Sequence, residues 1–118
     1  MAESGLFIGW GSVRTGREVV ATKVFSEALA YWPRLQAAGE IESFETVLLG
    51  LHGGDLGAFF LLRGDPERLG RLSMAPEFVR LMQRAEFVIE GLGVVSADLD
   101  AGVIRRVGDS NKATADLI

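Results

Sequence analysis

The chain's only histidine, His52, stands three residues before Asp55 in the stretch LLGLHGGDLGAFFLL, residues 48 to 62. A carboxylate beside an imidazole favours the protonated ring and fixes its orientation. Such a pair can work as a general base or as a hydrogen-bond donor. Gly53 and Gly54 lie between the two, and Gly-Gly is a favoured two-residue hairpin turn. Counting outward from that turn, His52 faces Asp55, Leu51 faces Leu56, Gly50 faces Gly57 and Leu48 faces Phe59. Alternation along the strands then places Phe44, Thr46, Leu61 and Arg63 on that same face. The opposed glycines leave a hole, with His52 and Asp55 at one rim and the Phe59 ring at the other. Gly9 and Gly11 of the first strand widen it if they fall on this face. A cavity with a few polar groups at one end is the usual form of a small-molecule site. The same letters also read as turn chemistry, with opposed glycines marking a bend or room for Trp10 or Trp32. A slip of one residue in register would send these side chains to the opposite face.

Other side chains extend the candidate site. Trp10 lies on the first strand, and Tyr31 and Trp32 lie on the first helix, where aromatics at helical spacing also read as core. Arg14 and Arg63 sit at strand ends, where a guanidinium can take a carboxylate or phosphate or remain solvated. The candidate catalytic pair is therefore His52 and Asp55. The candidate ligand-binding set is Trp10, Tyr31, Trp32, Gly50, Gly57, Phe59 and Arg63. With no cysteine and one histidine, no cysteine or histidine-rich metal site is expected, and no cofactor. GWGS and GLG lack the strand-to-helix setting of a nucleotide loop.

The elements that must position these residues follow from periodicity. Residues 6 to 13, LFIGWGSV, read as a strand. Thr15 and Glu18 have capping-box spacing, so a helix is expected to start there. Val20, Val24, Ala28, Tyr31 and Leu35 recur at helical spacing, with Ala21, Phe25 and Trp32 beside them. Pro33 is expected to kink or break this helix, and Gly39 to end it. Residues 41 to 51 and 56 to 63 read as strands. Asp65 caps the next helix with Pro66 in its first turn, and Ser73 is a second cap. Phe78, Leu81, Met82, Ala85, Val88 and Ile89 make its buried face, and Gly91 and Gly93 end it. Residues 94 to 99 form the last strand. AGVIRRV, from residue 101, reads as a short helix in preference to an edge strand, and 108 to 118 as a tail that frays.

This order, β-α-β-β-α-β, gives a single α+β domain over 1 to 118 with a ferredoxin-like, four-stranded antiparallel sheet. Such a sheet usually shows a polar face opposite its helices. Here AFFLL is apolar on both faces and VLLGL nearly so. Two helices cover one face only, so the second requires another cover, and a second subunit packed sheet against sheet supplies it. A homodimer is the expectation.

At 118 residues the chain can bury a core without staples. Its net charge of −4 offers no basic footprint, so nucleic acid is not an expected partner. No apolar run reaches the roughly 20 residues that span a bilayer, and the start, MAESGLFIGWG, lacks the charged and apolar regions of a secretory signal. A cytoplasmic location is expected, with no membrane partner.

The order of elements, with FSEALAYWPRLQAAGEIESFE and SMAPEFVRLMQRAEFVIEGLGV, resembles the dimeric α/β-barrel superfamily, which includes the antibiotic-biosynthesis monooxygenase-like proteins. The resemblance covers about residues 5 to 100 and rests on pattern. It implies two sheets closing into a barrel and a ligand pocket between sheet and helices. Members include cofactor-independent oxygenases, haem-degrading enzymes and isomerases. Oxygenases of the group commonly use asparagine and tryptophan, with histidine or tyrosine. Here the one asparagine is Asn111, in the expected tail, and Trp10 is on the first strand.

Three functional readings follow. One is a binding module for a small apolar or aromatic molecule. The second is a cofactor-independent oxygenase or isomerase with His52 as acid/base and Trp10 near the substrate. The third is a structural or interaction protein whose cavity is filled by its own side chains.

Overall fold

A computed structural model describes residues 2–118. The elements run β1 (Ser4–Trp10), α1 (Glu18–Ala37), β2 (Ser43–Leu48), β3 (Ala58–Gly64), α2 (Pro66–Met74), α3 (Pro76–Val88), β4 (Gly93–Asp98) and α4 (Ala101–Thr114), with a closing 3-10 turn at Ala115–Leu117. The four strands form one antiparallel sheet in the order β2-β3-β1-β4. The ferredoxin-like architecture is thus the one the periodicities indicate.

Helix α1 buries Ala21, Val24, Ala28, Tyr31, Trp32 and Leu35 of the expected stripe, whereas Phe25 is partly buried and Val20, in the first turn, faces solvent. Its start differs from the expectation. Thr15 is not the cap: the helix begins at Glu18 behind Arg17, and the Glu18 carboxylate accepts from the Gly16 N–H at 3.2 Å. Pro33 lies inside the last turns without ending the helix. The end is where Gly39 puts it: at φ +75° its N–H donates to the Gln36 carbonyl, and Glu40 N–H donates to that of Leu35. This is the paired closure that an αL residue permits. Asp65 caps α2 through the Arg68 N–H at 3.1 Å, as expected. Ser73 caps nothing: it sits within α2, its hydroxyl donates to the Gly70 carbonyl, and α3 starts instead at Pro76 behind an extended Ala75.

The alternation of β3 divides its side chains cleanly. Ala58, Phe60 and Leu62 are buried under the helices, with Leu6 and Ile8 of β1. Trp32 is wholly buried against Phe60 and Phe78, at ring separations of 5.4 and 6.3 Å. Its indole N–H has no hydrogen-bond partner among the described residues. On the opposite face Phe7, Phe59, Leu61 and Val47 are half-buried and Val95 is 56% exposed. Among the described residues none of these side chains is fully covered, and the apolar second face inferred from AFFLL is present.

The hairpin register is the main correction. Leu48 pairs with Ala58 and Val47 with Phe59, so Leu48 does not face Phe59, and the ladder is one residue away from the Gly53-Gly54 count. β2 ends at Leu48 and β3 begins at Ala58, leaving 49–57 as a loop. That slip moves Phe44, Thr46 and Leu48 to the helix side of the sheet with Phe60 and Leu62, away from Phe59, Leu61 and Arg63. Strand β1 stops at Trp10, and Val13 makes an isolated bridge to Ile89. The segment from 108 on, read as a tail, continues α4 to Thr114.

Candidate functional site

The sequence-derived candidates do not converge on one place. His52 and Asp55 lie in the exposed 49–57 loop, and among the described residues no hydrogen bond or ion pair joins them. Instead His52 Nε2 lies 2.7 Å from the Leu56 carbonyl oxygen, and Nδ1 accepts from the Gly54 N–H at 3.2 Å. These partners assign the ring proton to Nε2, and the histidine pins its own loop.

Gly50 and Gly57 do not oppose one another. Gly50 stands in open space, whereas a Cβ on Gly57 would come within 2.7 Å of the Gly11 carbonyl oxygen. Gly57 N–H donates to the Trp10 carbonyl at 2.8 Å. The glycine is there for close backbone approach, and it lets the loop lie across the end of β1. The space above Gly9 is taken by the Phe7 ring and Leu56. The glycine-lined hole is therefore absent, closed by the chain's own atoms.

Phe59 stacks beside Phe7 on the open sheet face, with 5.0 Å between ring centroids. Arg63 lies on that face too; its Nε donates to Glu45 at 3.1 Å, with Asp100 at 3.5 Å. Tyr31 and Trp32 are core, and burial, ahead of the nearby Glu77 carboxylate, pushes the Tyr31 hydroxyl upward. Arg14 donates from Nε to the Glu86 carbonyl at 3.2 Å, and the Arg17 guanidinium lies 3.9 Å above the Phe87 ring, so both secure the end of α3.

Trp10 alone of the candidate set lines a sizeable cavity. It is a space of about 300 Å³ between the sheet and helices α1 and α3, with Phe25, Phe60, Leu81 and Met82 among its walls. Its origin is a volume deficit: Ala21 and Ala28 on α1 and Ala85 on α3 point into it and supply little bulk. Trp10, Phe25 and Phe60 form an aromatic wall, with Trp10–Phe60 centroids 5.0 Å apart and Phe25–Phe60 stacked at 5.7 Å. Rings in this range attract through offset and edge contacts and hold the wall rigid.

The lining is apolar except for Glu18 and Thr22. Hydrogen bonds from the amides of Glu18 itself and of Gly16 hold the Glu18 carboxyl below its ordinary range, so it is ionised at neutral pH. The Thr22 hydroxyl donates to the Glu18 carbonyl at 3.2 Å. The cavity thus offers apolar contact, an aromatic surface and one fixed acceptor charge. Sequence reasoning named Trp10 but missed Phe25, Phe60, Met82 and Glu18 as lining. The available signal was the alanines at core-facing positions of two helices, which mark missing volume opposite a strand tryptophan.

No protein-family model matches the chain, and no curated protein matches it in sequence. Solved structures do match. A dimeric ferredoxin-like protein of unknown function from Jannaschia aligns at a TM-score of 0.63 and 14% identity, covering 81% of this chain and 99% of that one. A dimeric protein of unknown function with a ferredoxin-like fold from Bacteroides fragilis aligns at 0.57 and 16%, covering 82% and 97%. SnoaB, a cofactor-independent oxygenase from Streptomyces nogalater, aligns at 0.56 and 16%, covering 84% and 95%. These are neighbours of the kind the resemblance implies, and the ferredoxin-like fold is established.

Proposed function

We propose that the protein is a cytoplasmic homodimer that binds a small apolar or aromatic molecule in the cavity between its sheet and helices α1 and α3. The observation that carries the reading is the cavity itself. Its volume of about 300 Å³ lies at the lower end of the range for small-molecule sites, and its lining is apolar with one ionised group. An aromatic ring fits against Trp10, Phe25 and Phe60, and a hydroxyl or amine on the ligand can donate to Glu18. The homodimer reading draws support from the uncovered apolar sheet face and from the dimeric neighbours. Absence of cysteine fits a reducing compartment. Among the described residues no helix is long and apolar enough to cross a membrane.

The test is a titration with the uncharged naphthalene dye N-phenyl-1-naphthylamine, read by dye fluorescence and by quenching of tryptophan emission. Binding to the parent and at least tenfold weaker binding to Ala85→Phe, which fills the cavity, is the expected result. Equal binding to the two proteins would place the dye elsewhere and remove the basis for the site.

A further inference from the structure

We infer that α4 is a dimerisation arm, with the stripe Val103, Ile104 and Val107 packed against a second copy of this chain. This rests on the sheet-to-sheet dimer proposed above and adds to it an element outside the sheet.

The helix has two sides. One is seated on its own subunit. A Cβ on Gly102 would lie 2.5 Å from the Glu3 carbonyl oxygen, so only glycine permits this approach. Arg105 grips both carboxylate oxygens of Glu3 at 2.7 and 3.0 Å, and Arg106 reaches Asp98 at 2.7 Å. At 3.6 residues per turn, Val103, Ile104 and Val107 fall on the side opposite Gly102. They are 46%, 76% and 54% exposed, and they are the helix's only large apolar residues.

Such a helix has little reason to persist alone. It carries Gly102, Gly108, Asp109, Ser110, Asn111 and Thr114, all weak helix formers, and among the described residues its side-chain hydrogen bonds to the body end at Arg106. Isolated helices of about this length are marginal in water, and most protein helices persist because an apolar face is packed. The shape agrees with a projecting arm. The radius of gyration is 16.2 Å, against about 13.5 Å for a compact chain of this size, and the longest axis is 53 Å.

The root of the arm identifies the occupant. Leu99, two residues before α4, lies over Gly5 beside Leu61, on the open sheet face. Asp100 follows in a left-handed conformation, φ +53°, and faces Arg63 of the same surface. The arm therefore springs from the rim of the face assigned to the second copy, within reach of a subunit packed on that face. In a two-fold dimer each arm then reaches over the other subunit.

The experiment compares the parent with a full-length variant carrying Val103→Ser, Ile104→Ser and Val107→Ser, which leaves Gly102, Arg105 and Arg106 in place. Dimer dissociation is measured by sedimentation over a dilution series. Amide exchange of residues 107–114 is followed in the parent and in the monomerising variant Leu61→Glu. The expected results are a dimer at least tenfold weaker in the triple variant and at least tenfold faster exchange of 107–114 in the Leu61→Glu monomer. A parent dimer with an unchanged dissociation constant in the triple variant, or equal α4 exchange in monomer and dimer, would overturn the arm while leaving the sheet interface. A parent that is monomeric at tens of micromolar would overturn both.

Discussion

The two faces of the sheet are built from the same four strands and the same kinds of residue, yet they meet different surroundings. Phe60 and Leu62 point towards α1, α2 and α3 and are almost wholly buried. Phe59 and Leu61, their immediate neighbours in sequence, point the other way and remain only partly buried. The helix side achieves cover but is incompletely filled, because alanines stand where larger side chains would reach Trp10. The open side is well filled within its plane, even above Gly9, but is not covered. A deficit of volume on one side suits a small ligand. A deficit of cover on the other suits a flat apolar partner. Composition alone does not distinguish the two; the direction of each side chain does.

Substitutions on either side can break that contrast. The largest effect is expected at Trp32→Ala, which opens a void in the covered core and costs about 3–5 kcal/mol of folding stability. Phe59→Ala in the monomeric Leu61→Glu background should cost only about 1 kcal/mol, because the ring is already partly in water. Urea unfolding of both measures the difference, and equal losses would mean that the open face is as much a core as the covered one. Next comes Leu61→Glu itself, which places an unpaired carboxylate in the interface. It should weaken association by roughly 100-fold or more while leaving far-ultraviolet circular dichroism unchanged. An unchanged sedimenting mass would remove the open face as the interface.

A third pair probes the hairpin. Gly57→Ala forces a Cβ against the Gly11 carbonyl and should cost about 1–3 kcal/mol, whereas Gly50→Ala, in open space, should stay within about 0.5 kcal/mol. Similar losses at both would restore the opposed-glycine register. The smallest effect concerns the bidentate pair between Arg84 and Glu27, at 2.8 and 2.7 Å, which ties α3 to α1 behind the cavity. Arg84 holds the Glu27 carboxyl below its ordinary value of 4.5. A lowered folded value means that the stabilisation is present above the unfolded value and is lost as pH falls through the folded one. With both side chains about one-third exposed, Glu27→Gln should cost about 0.5 kcal/mol at pH 7. Thermal unfolding of parent and variant should converge below the folded value; a gap that persists there would not come from the ion pair.

The fold was legible because the helix stripes and the strand alternation are strong local patterns with clear stops, such as Gly39 and the Asp65-Pro66 start. The open face was legible too, since AFFLL cannot hide both sets of side chains under two helices. The hairpin was not. Gly53-Gly54 satisfies a tight turn, but the loop that forms is fixed by contacts that no pattern displays: Gly57 against Gly11 and Trp10, and His52 against Leu56 and Gly54. One residue of slip was enough to move Phe59 and Arg63 away from the strand residues assigned to their face. Of the candidate site only Trp10 lines the cavity, because a cavity is a volume left over from the packing of three elements. Residues 108 to 118 read as a tail by composition, yet 108 to 114 continue the helix expected from residue 101, whose start is seated by Gly102 and two arginines.

The most direct test is dye titration of the Leu61→Glu variant with its mass followed in the same sedimentation run. Separate roles for the two faces predict a species at the 12.7 kDa of one chain that still binds the dye with the parent's affinity. A variant that remains twice that mass, or one that becomes monomeric and loses the dye, would contradict the assignment of ligand to one face and second subunit to the other.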